Sequence, residues 1–171
     1  DPISLQGVGL HSGKQCNLTI YPGIDDQGIV FKRVDLKKNN LVEANFKNVS
    51  SAKLCTTLQN NHGVKVSTVE HLLAALYISE IDNAIIELDN EEVPIMDGSA
   101  KNFLEALKKT KIKSLTKKRN YIKILKKEEF VDGERNISIE PCEAFEVDFQ
   151  IKYQNKIIGD QRNIVNFNDL P

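Results

Sequence analysis

Alternating apolar and polar residues predict short β-strands through most of the chain. Residues 16–21 and 145–153 alternate with a period of two, which is typical of strands that bury one face. Residues 28–33, 53–58 and 84–88 are short apolar runs bounded by turn residues, and they are also predicted to be strands. We expect the strands at 16–21 and 28–33 to pair with each other as a hairpin.

A helix is predicted in the middle of the chain, where the apolar spacing changes. Its buried stripe has the spacing i, i+3, i+4, i+7 and consists of Val69, Leu72, Leu73 and Leu76. Ser67, followed three residues later by Glu70, has the form of a capping box. The pattern therefore predicts a helix that begins at Thr68 and ends at about Ser79.

The order of these elements predicts an α+β fold built from sheet-plus-helices halves. A second helix is predicted over residues 100–109, with Ser99 as its N-cap. Residues 1–116 form the first α+β half, in two layers, and carry Glu70 and His71. Residues 117–171 begin as the first half does, with hairpins, but contain strand signals only.

A basic run separates the two predicted halves. Half of residues 108–127 are Lys or Arg and none is acidic, and we place the boundary near residues 114–118. Such a run is typical of a solvated linker, although it could also bind phosphates. Beyond it, residues 122–130 and 135–140 are predicted to pair around the turn that contains Asp132-Gly133.

Composition and charge narrow the class of protein. Hydrophobic residues at 40% and charged residues at 27% are ordinary for a globular protein, and a net charge of −1 argues against nucleic acid or an anionic membrane as a partner. No apolar run reaches the length of a membrane span. The three cysteines, Cys16, Cys55 and Cys142, contain no C-x-x-C pair, which favours a reducing compartment such as the cytoplasm over a disulfide framework.

Glu70 and His71 are the two residues best suited to a catalytic role. They lie off the apolar stripe in the first helical turn, beside the small Ala74 and Ala75. A metal-assisted hydrolase needs one group that holds the metal and another that takes a proton from water, and this pair could supply both. Alternatively, Glu70 serves only the capping box and His71 is a surface histidine.

Other polar positions have weaker interpretations. The glycine-rich residues 7–13, which include His11, could present N–H groups to an anion or could simply turn into the next strand. They are not a dinucleotide-binding fingerprint, because we expect no strand before them and no helix after them. Cys55 is more typical of a small buried residue than of a ligand, and Asp97 is expected to bond to nearby backbone amides.

Four sequence blocks, in order along the chain, carry a resemblance to a known family. The blocks are Gly7–Gly13, Leu54–Thr57, Ser67–Leu72 and Pro94–Ala100. Together they resemble the UDP-3-O-acyl-N-acetylglucosamine deacetylases of lipid A biosynthesis, which are zinc amidases of a Gram-negative-type cytoplasm. The resemblance extends over the whole chain and is strongest over residues 7–100. It implies two similar α+β halves with the active site between them. Residues 1–116 would be the complete first half, and residues 117–171 the beginning of a second half that is cut short after its strands.

The resemblance also implies roles for individual residues. His71 would be a zinc ligand and Glu70 the general base, while His11, Cys55 and Thr56 would lie close to the substrate. The family's other two zinc ligands come from its second half, and this chain has no histidine after His71. We therefore expect the remaining ligands beyond Pro171, and we expect this chain to be an amino-terminal fragment that is inactive alone.

The implied reaction is hydrolysis of an amide on a nucleotide sugar. The acetyl group would leave the 2-acetamido nitrogen of UDP-3-O-acyl-N-acetylglucosamine as acetate, with Zn²⁺ as the cofactor. The partner would be this small-molecule substrate, with no nucleic acid and no transmembrane segment. The full-length enzyme is expected to be a monomer.

Three other interpretations remain open from the sequence. His11, His62 and His71 with a nearby acid could form a self-contained metal site of a different small hydrolase, although their spacing matches no known ligand motif. The glycine loop and the basic run could form a non-catalytic nucleotide- or phosphate-binding module. Open sheet edges could also make the chain an assembly unit that completes its sheet with another chain.

Overall fold

The chain divides into two compact units in the computed structural model, which describes residues 1–167. The first unit is Asp1–Arg119 and the second begins at Asn120. Residues 168–171, the end of the predicted second half, lie outside the described residues.

The first unit contains two sheets and two helices. In chain order its elements are β1 (Ile3–Val8), β2 (Gln15–Pro22), β3 (Ile29–Arg33), β4 (Leu41–Glu43), β5 (Val49–Ser51), β6 (Thr57–Gln59), β7 (Lys65–Ser67), α1 (Glu70–Ile78), β8 (Ala84–Leu88) and α2 (Lys101–Lys108). Five strands form one sheet in the order β1-β2-β8-β3-β4, and only the β3–β8 pair is parallel. Strands β5, β6 and β7 form a second, antiparallel sheet.

The core lies between one face of the large sheet and the two helices. Alternate residues of the central strands are buried, as the period of two predicts; they include Leu18, Ile20, Phe31, Ile86 and Leu88. The helices contribute buried residues to the same cluster, among them Leu72, Leu76, Phe103 and Leu107. This layering of helices on a mostly antiparallel sheet confirms the predicted α+β class.

The predicted hairpin between residues 16–21 and 28–33 is wrong. Strand β8 lies between β2 and β3, with Ile86 opposite Ile20 on one side and opposite Phe31 on the other. Three residues of β8 are almost completely buried, so this apolar strand occupies the centre of the sheet. The expectation that no strand precedes the glycine-rich residues 7–13 is also wrong, because β1 precedes them and includes Gly7.

Two elements begin at different residues from those that the sequence predicts. Of the strand predicted at 53–58, only the end is extended, because Leu54 has a left-handed backbone with φ of 69° and β6 begins at Thr57. Helix α2 begins at Lys101, one residue later than predicted, so the prediction of Ser99 as its N-cap is wrong and Ala100 holds that position. The Ser99 hydroxyl still accepts a hydrogen bond from the Lys101 amide at 3.1 Å, so it contributes to the start of that helix.

The second unit consists of two antiparallel hairpins over its described residues. Strand β9 (Glu128–Asp132) pairs with β10 (Arg135–Ile139), and β11 (Glu146–Lys152) pairs with β12 (Asp160–Asn166). The predicted strand at 122–130 begins only at Glu128, after the last lysines of the basic run. No helix that the structure describes in residues 1–167 is long and apolar enough to cross a membrane.

Candidate active site

The predicted capping box at the start of α1 is wrong. Ser67 belongs to β7, where its amide and its hydroxyl both donate to the Glu91 carbonyl, at 2.8 and 3.2 Å. Thr68 then adopts a left-handed backbone with φ of 57°, and α1 begins at Glu70 without a side-chain cap. This backbone conformation is uncommon for a β-branched residue. It turns the chain between β7 and α1, just before Glu70 and His71.

Glu70 is brought together with a second predicted site residue, Thr56. Glu70 is half-buried, and its Oε2 accepts a hydrogen bond from the Thr56 amide at 3.2 Å. Cys55 lies next to Thr56 and is also half-buried, with its Sγ 3.8 Å from the Thr57 hydroxyl. Leu54, two residues before Thr56, has a left-handed backbone with φ of 69°. Of the predicted site residues Thr56 and Cys55, the structure thus places Thr56 in direct contact with Glu70.

His71 has a buried ring nitrogen whose bonding capacity is unused. Its Nδ1 is shielded from solvent and has no hydrogen-bond partner among residues 1–167. Leaving a buried polar atom unpaired costs free energy, so such an atom in a folded protein calls for an explanation. Coordination of a metal ion is one, because a neutral imidazole nitrogen is a common zinc ligand.

The described residues do not contain a complete metal site. In the part of the chain that the structure describes, no three His, Cys, Asp or Glu side chains form a group that could hold a metal ion. A catalytic zinc normally has three protein ligands. His71 could therefore supply at most one ligand of such a set.

His11 lies in the loop between β1 and β2, and its side chain is exposed. Its backbone amide donates to Glu92 Oε1 at 2.9 Å, and the next amide, that of Ser12, donates to Glu92 Oε2 at 2.7 Å. Glu92 Oε1 also accepts a hydrogen bond from the Thr68 hydroxyl at 2.9 Å. The loop that carries His11 is thus linked to the start of α1 through a buried carboxylate.

Sequence reasoning missed Glu92. It is only 2% exposed, whereas its neighbour Glu91 is exposed, and nothing in the local sequence distinguishes the two. Burial acts to raise the pKa of Glu92, but the hydrogen bonds from His11, Ser12 and Thr68 outweigh it and hold the pKa below its usual value. Glu92 is therefore held as a carboxylate at neutral pH.

Asp97 and His62 form hydrogen bonds with residues close to them in the sequence. Asp97 Oδ1 accepts hydrogen bonds from the amide and the hydroxyl of Ser99, and these bonds lower the pKa of Asp97. The prediction that Asp97 bonds to nearby backbone amides is confirmed. His62 is exposed in the turn between β6 and β7, where its amide donates to the Asn60 side chain.

Part of the basic run lies against the first unit. Lys117 forms an ion pair with Asp26, and Arg119 donates to Asp82 at 2.8 Å. The Thr116 hydroxyl donates to Asp25. These contacts use acidic partners from the same unit, so Lys117 and Arg119 do not present free positive charge for a phosphate.

Comparison with known proteins agrees with the resemblance that the four sequence blocks carry. The model of the family described as LpxC, UDP-3-O-acyl N-acetylglycosamine deacetylase, matches residues 1–170. The chain is 39% identical over 165 residues to the UDP-3-O-acyl-N-acetylglucosamine deacetylase of Geotalea uraniireducens, covering 96% of this chain and 53% of that protein. It is 40% identical over 164 residues to the enzyme of the same name from Vibrio cholerae, covering 95% and 54%.

A relative with the same name from Blochmanniella floridana is 41% identical over 158 residues, which is 92% of this chain and 53% of the relative. The chain therefore spans about half the length of the relatives it matches. Because the family model matches almost every residue, the chain belongs to the UDP-3-O-acyl N-acetylglycosamine deacetylase family.

Proposed function

We propose that the full-length protein hydrolyses the 2-acetamido group of UDP-3-O-acyl-N-acetylglucosamine to a free amine and acetate, in the synthesis of lipid A. The observation that carries this proposal is the pair at the start of α1. There a half-buried carboxylate, Glu70, precedes an imidazole whose buried Nδ1 has no partner among the described residues. The relatives named for this reaction support it.

His71 has the role of a zinc ligand in this proposal. Zinc, when bound, would polarise the amide carbonyl and make water a better nucleophile. The unused Nδ1 is in keeping with ligation, because binding a metal would relieve the cost of an unpaired buried nitrogen. The other ligands would come from the part of the full-length relatives that this chain does not match.

Glu70 has the role of general base. Its Oε2 is held by the Thr56 amide, which restricts the orientation of the carboxylate. Its Oε1 makes no hydrogen bond within residues 1–167 and is left to take a proton from the attacking water. Cys55 and Thr56, which lie beside Glu70, and His11 would be close to the substrate.

The remaining features of the proposal concern the setting of the reaction. The only small-molecule partner is the UDP-linked sugar, and the full-length protein works as a monomer in the cytoplasm. The three cysteines Cys16, Cys55 and Cys142 are free, which suits a reducing compartment. The 171-residue chain alone is inactive and retains little zinc, because it contributes a single ligand.

The function is tested by replacing the proposed base in the full-length protein. Glu70→Gln keeps the shape of the side chain but removes its basicity, so kcat should fall roughly 10²- to 10⁴-fold with the zinc content unchanged. Glu105→Gln, at an exposed position of α2, makes the same charge change and should retain wild-type kcat. Wild-type activity in Glu70→Gln would contradict the proposed function.

A further inference from the structure

Glu92 is a buried carboxylate that binds two separate segments of the chain. Its side chain accepts three hydrogen bonds, from the amides of His11 and Ser12 and from the Thr68 hydroxyl, at distances of 2.7 to 2.9 Å. A buried charge persists in a folded protein only when such bonds compensate its loss of water. Thr68 lies two residues before Glu70, and the other two donors belong to the loop that carries His11.

The first segment is the glycine loop between β1 and β2. This loop closes on itself through backbone bonds from Gly9 to the Lys14 carbonyl and from Gly13 to the Gly9 carbonyl. A Cβ atom at Gly9 would lie only 2.4 Å from Glu92 Oε2. The carboxylate therefore approaches the loop so closely that only glycine fits, and the backbone position of His11 depends on this contact.

The second segment is the turn that leads into α1. Thr68 is 3% exposed and left-handed, a conformation that a β-branched residue rarely adopts unless its surroundings hold it there. Its hydroxyl bond to Glu92 is one of the interactions that hold it. The helix begins two residues later with Glu70 and His71. The backbone conformation of Thr68 therefore influences where these two side chains lie.

Backbone bonds on both sides of Glu92 reinforce the same connection. The Val93 amide donates to the Ser67 carbonyl at 3.0 Å, and the Ile95 amide donates to the Val8 carbonyl at 3.0 Å. The segment 91–95 thus bridges the end of β7 and the end of β1. Glu92 lies in the middle of this bridge, and its side-chain hydrogen bonds link the two segments.

We propose that Glu92 is a positioning residue for the hydrolysis. Its carboxylate fixes the loop that carries His11 relative to the helix start that carries Glu70 and His71. This inference rests on the proposed function, since it assigns Glu92 to the same reaction. Glu92 acts through the backbone of His11 and Ser12 and through the side chain of Thr68.

The test uses the full-length enzyme and separates positioning from plain stabilisation. Glu92→Gln places an amide N–H₂ where a carboxylate oxygen accepts a hydrogen bond, and Thr68→Val removes the hydroxyl at almost constant volume. Both should lower kcat roughly 10- to 100-fold, because small displacements of reacting groups cost rate, while KM changes by less than about threefold. Zinc content should equal that of the wild type.

Two matched variants provide the controls. Thr68→Ser keeps the hydroxyl and should restore kcat to within about twofold of the wild type. Glu91→Gln changes the exposed neighbour of Glu92 and should leave kcat unchanged. If Glu92→Gln does not fold, the comparison of Thr68→Val with Thr68→Ser decides the question. Wild-type kcat for folded Glu92→Gln and Thr68→Val, with only a lower melting temperature, would overturn the positioning role.

A different set of results would show that the proposed function itself is wrong. The wild type would then have no deacetylase activity, or Glu70→Gln would retain it. The positioning claim is then decided by the backbone amide resonances of Glu70 and His71 in Glu92→Gln. Displaced resonances at both residues and in the glycine loop support it, and resonances unchanged at Glu70 and His71 overturn it.

Discussion

Side chains of the same type have very different environments in this protein. Burial, aided by the nearby Asp89 carboxylate, raises the pKa of the Cys16 thiol to about 12, so this thiol stays protonated. Cys142 is exposed in the second unit, and Cys55 is half-buried beside Thr56 and Glu70. The acidic neighbours Glu91 and Glu92 differ in the same way, since only the second is buried.

This contrast predicts the order in which the thiols react. In the native 171-residue chain, a disulfide reagent near pH 8 should modify Cys142 rapidly and Cys16 only as the protein unfolds, because the thiolate is the reactive form. Stopped-flow absorbance measures both phases. Cys142→Ser should remove the fast phase, and Cys16→Ser should remove the phase that requires denaturant. Equal rates for Cys16 and Cys142 in the native state would refute the assignment.

The two helices begin in different ways although each has a serine just before it. The Ser99 hydroxyl accepts the Lys101 amide of α2 and also donates to Asp97. Ser67 instead belongs to β7 and gives both of its donors to the Glu91 carbonyl. Helix α1 therefore starts without a side-chain cap, and the turn at Thr68 takes the place of one.

The two serines should thus respond differently to substitution by alanine. Ser99→Ala removes a capping acceptor and should lower the free energy of unfolding by about 1 kcal/mol. Ser67→Ala removes only a hydroxyl bond to a carbonyl that also accepts the Ser67 amide, so the loss should be smaller. Urea unfolding of the chain, followed by helix circular dichroism, compares them. A larger loss in Ser67→Ala would mean that Ser67 caps α1 after all.

The elements show why local patterns predicted some features and missed others. The apolar stripe of α1 was sufficient to locate the helix and to place Glu70 and His71 in its first turn. The first residue of α1 was predicted wrongly because Ser67 bonds to the Glu91 carbonyl instead of capping the helix. Glu91 is distant in sequence, so the S-x-x-E pattern contains no information about that contact. The hairpin prediction failed for the same reason, since β8 enters between β2 and β3 from far along the chain.

The candidate site was predictable to a similar extent. The four sequence blocks contain the candidates Glu70, His71 and Thr56, whose roles stay predictions, and the structure brings Thr56 to Glu70. Glu92 was not predictable, because its role depends on burial between two segments that meet only in the folded chain. The close approach of Glu92 to the loop favours a glycine at position 9, but a glycine in the sequence does not show which residue lies against it.

At the scale of the whole molecule, several carboxylates stabilise the fold in their charged form. Hydrogen bonds from the Arg33 guanidinium lower the pKa of Asp35. Burial acts to raise the pKa of Asp89, but hydrogen bonds from Asn17 outweigh it, and the pKa of Asp89 is lowered. The pKa of Glu92 is lowered in the same way.

These shifts predict that the protein loses stability in acid. A carboxyl group whose pKa is lower in the folded state stabilises the fold above its unfolded pKa of about 4, and this contribution is lost as pH falls through the folded pKa. The urea midpoint of the chain should therefore be level from about pH 7 to 5 and fall below about pH 4. In Asp89→Asn the fall should be shallower, and Glu105→Gln should retain the wild-type slope. An unchanged acid slope in Asp89→Asn would contradict the role given to this carboxylate.

For the whole molecule, we propose that the start of α1 contributes to a zinc-dependent active site. The most direct test is the zinc content of the full-length protein, measured by elemental analysis in the wild type, His71→Ala and His62→Ala. We expect about one zinc per chain in the wild type and in His62→Ala, whose histidine is exposed in a turn, and loss of zinc in His71→Ala. Zinc retained by His71→Ala at the wild-type level would show that His71 is not a zinc ligand.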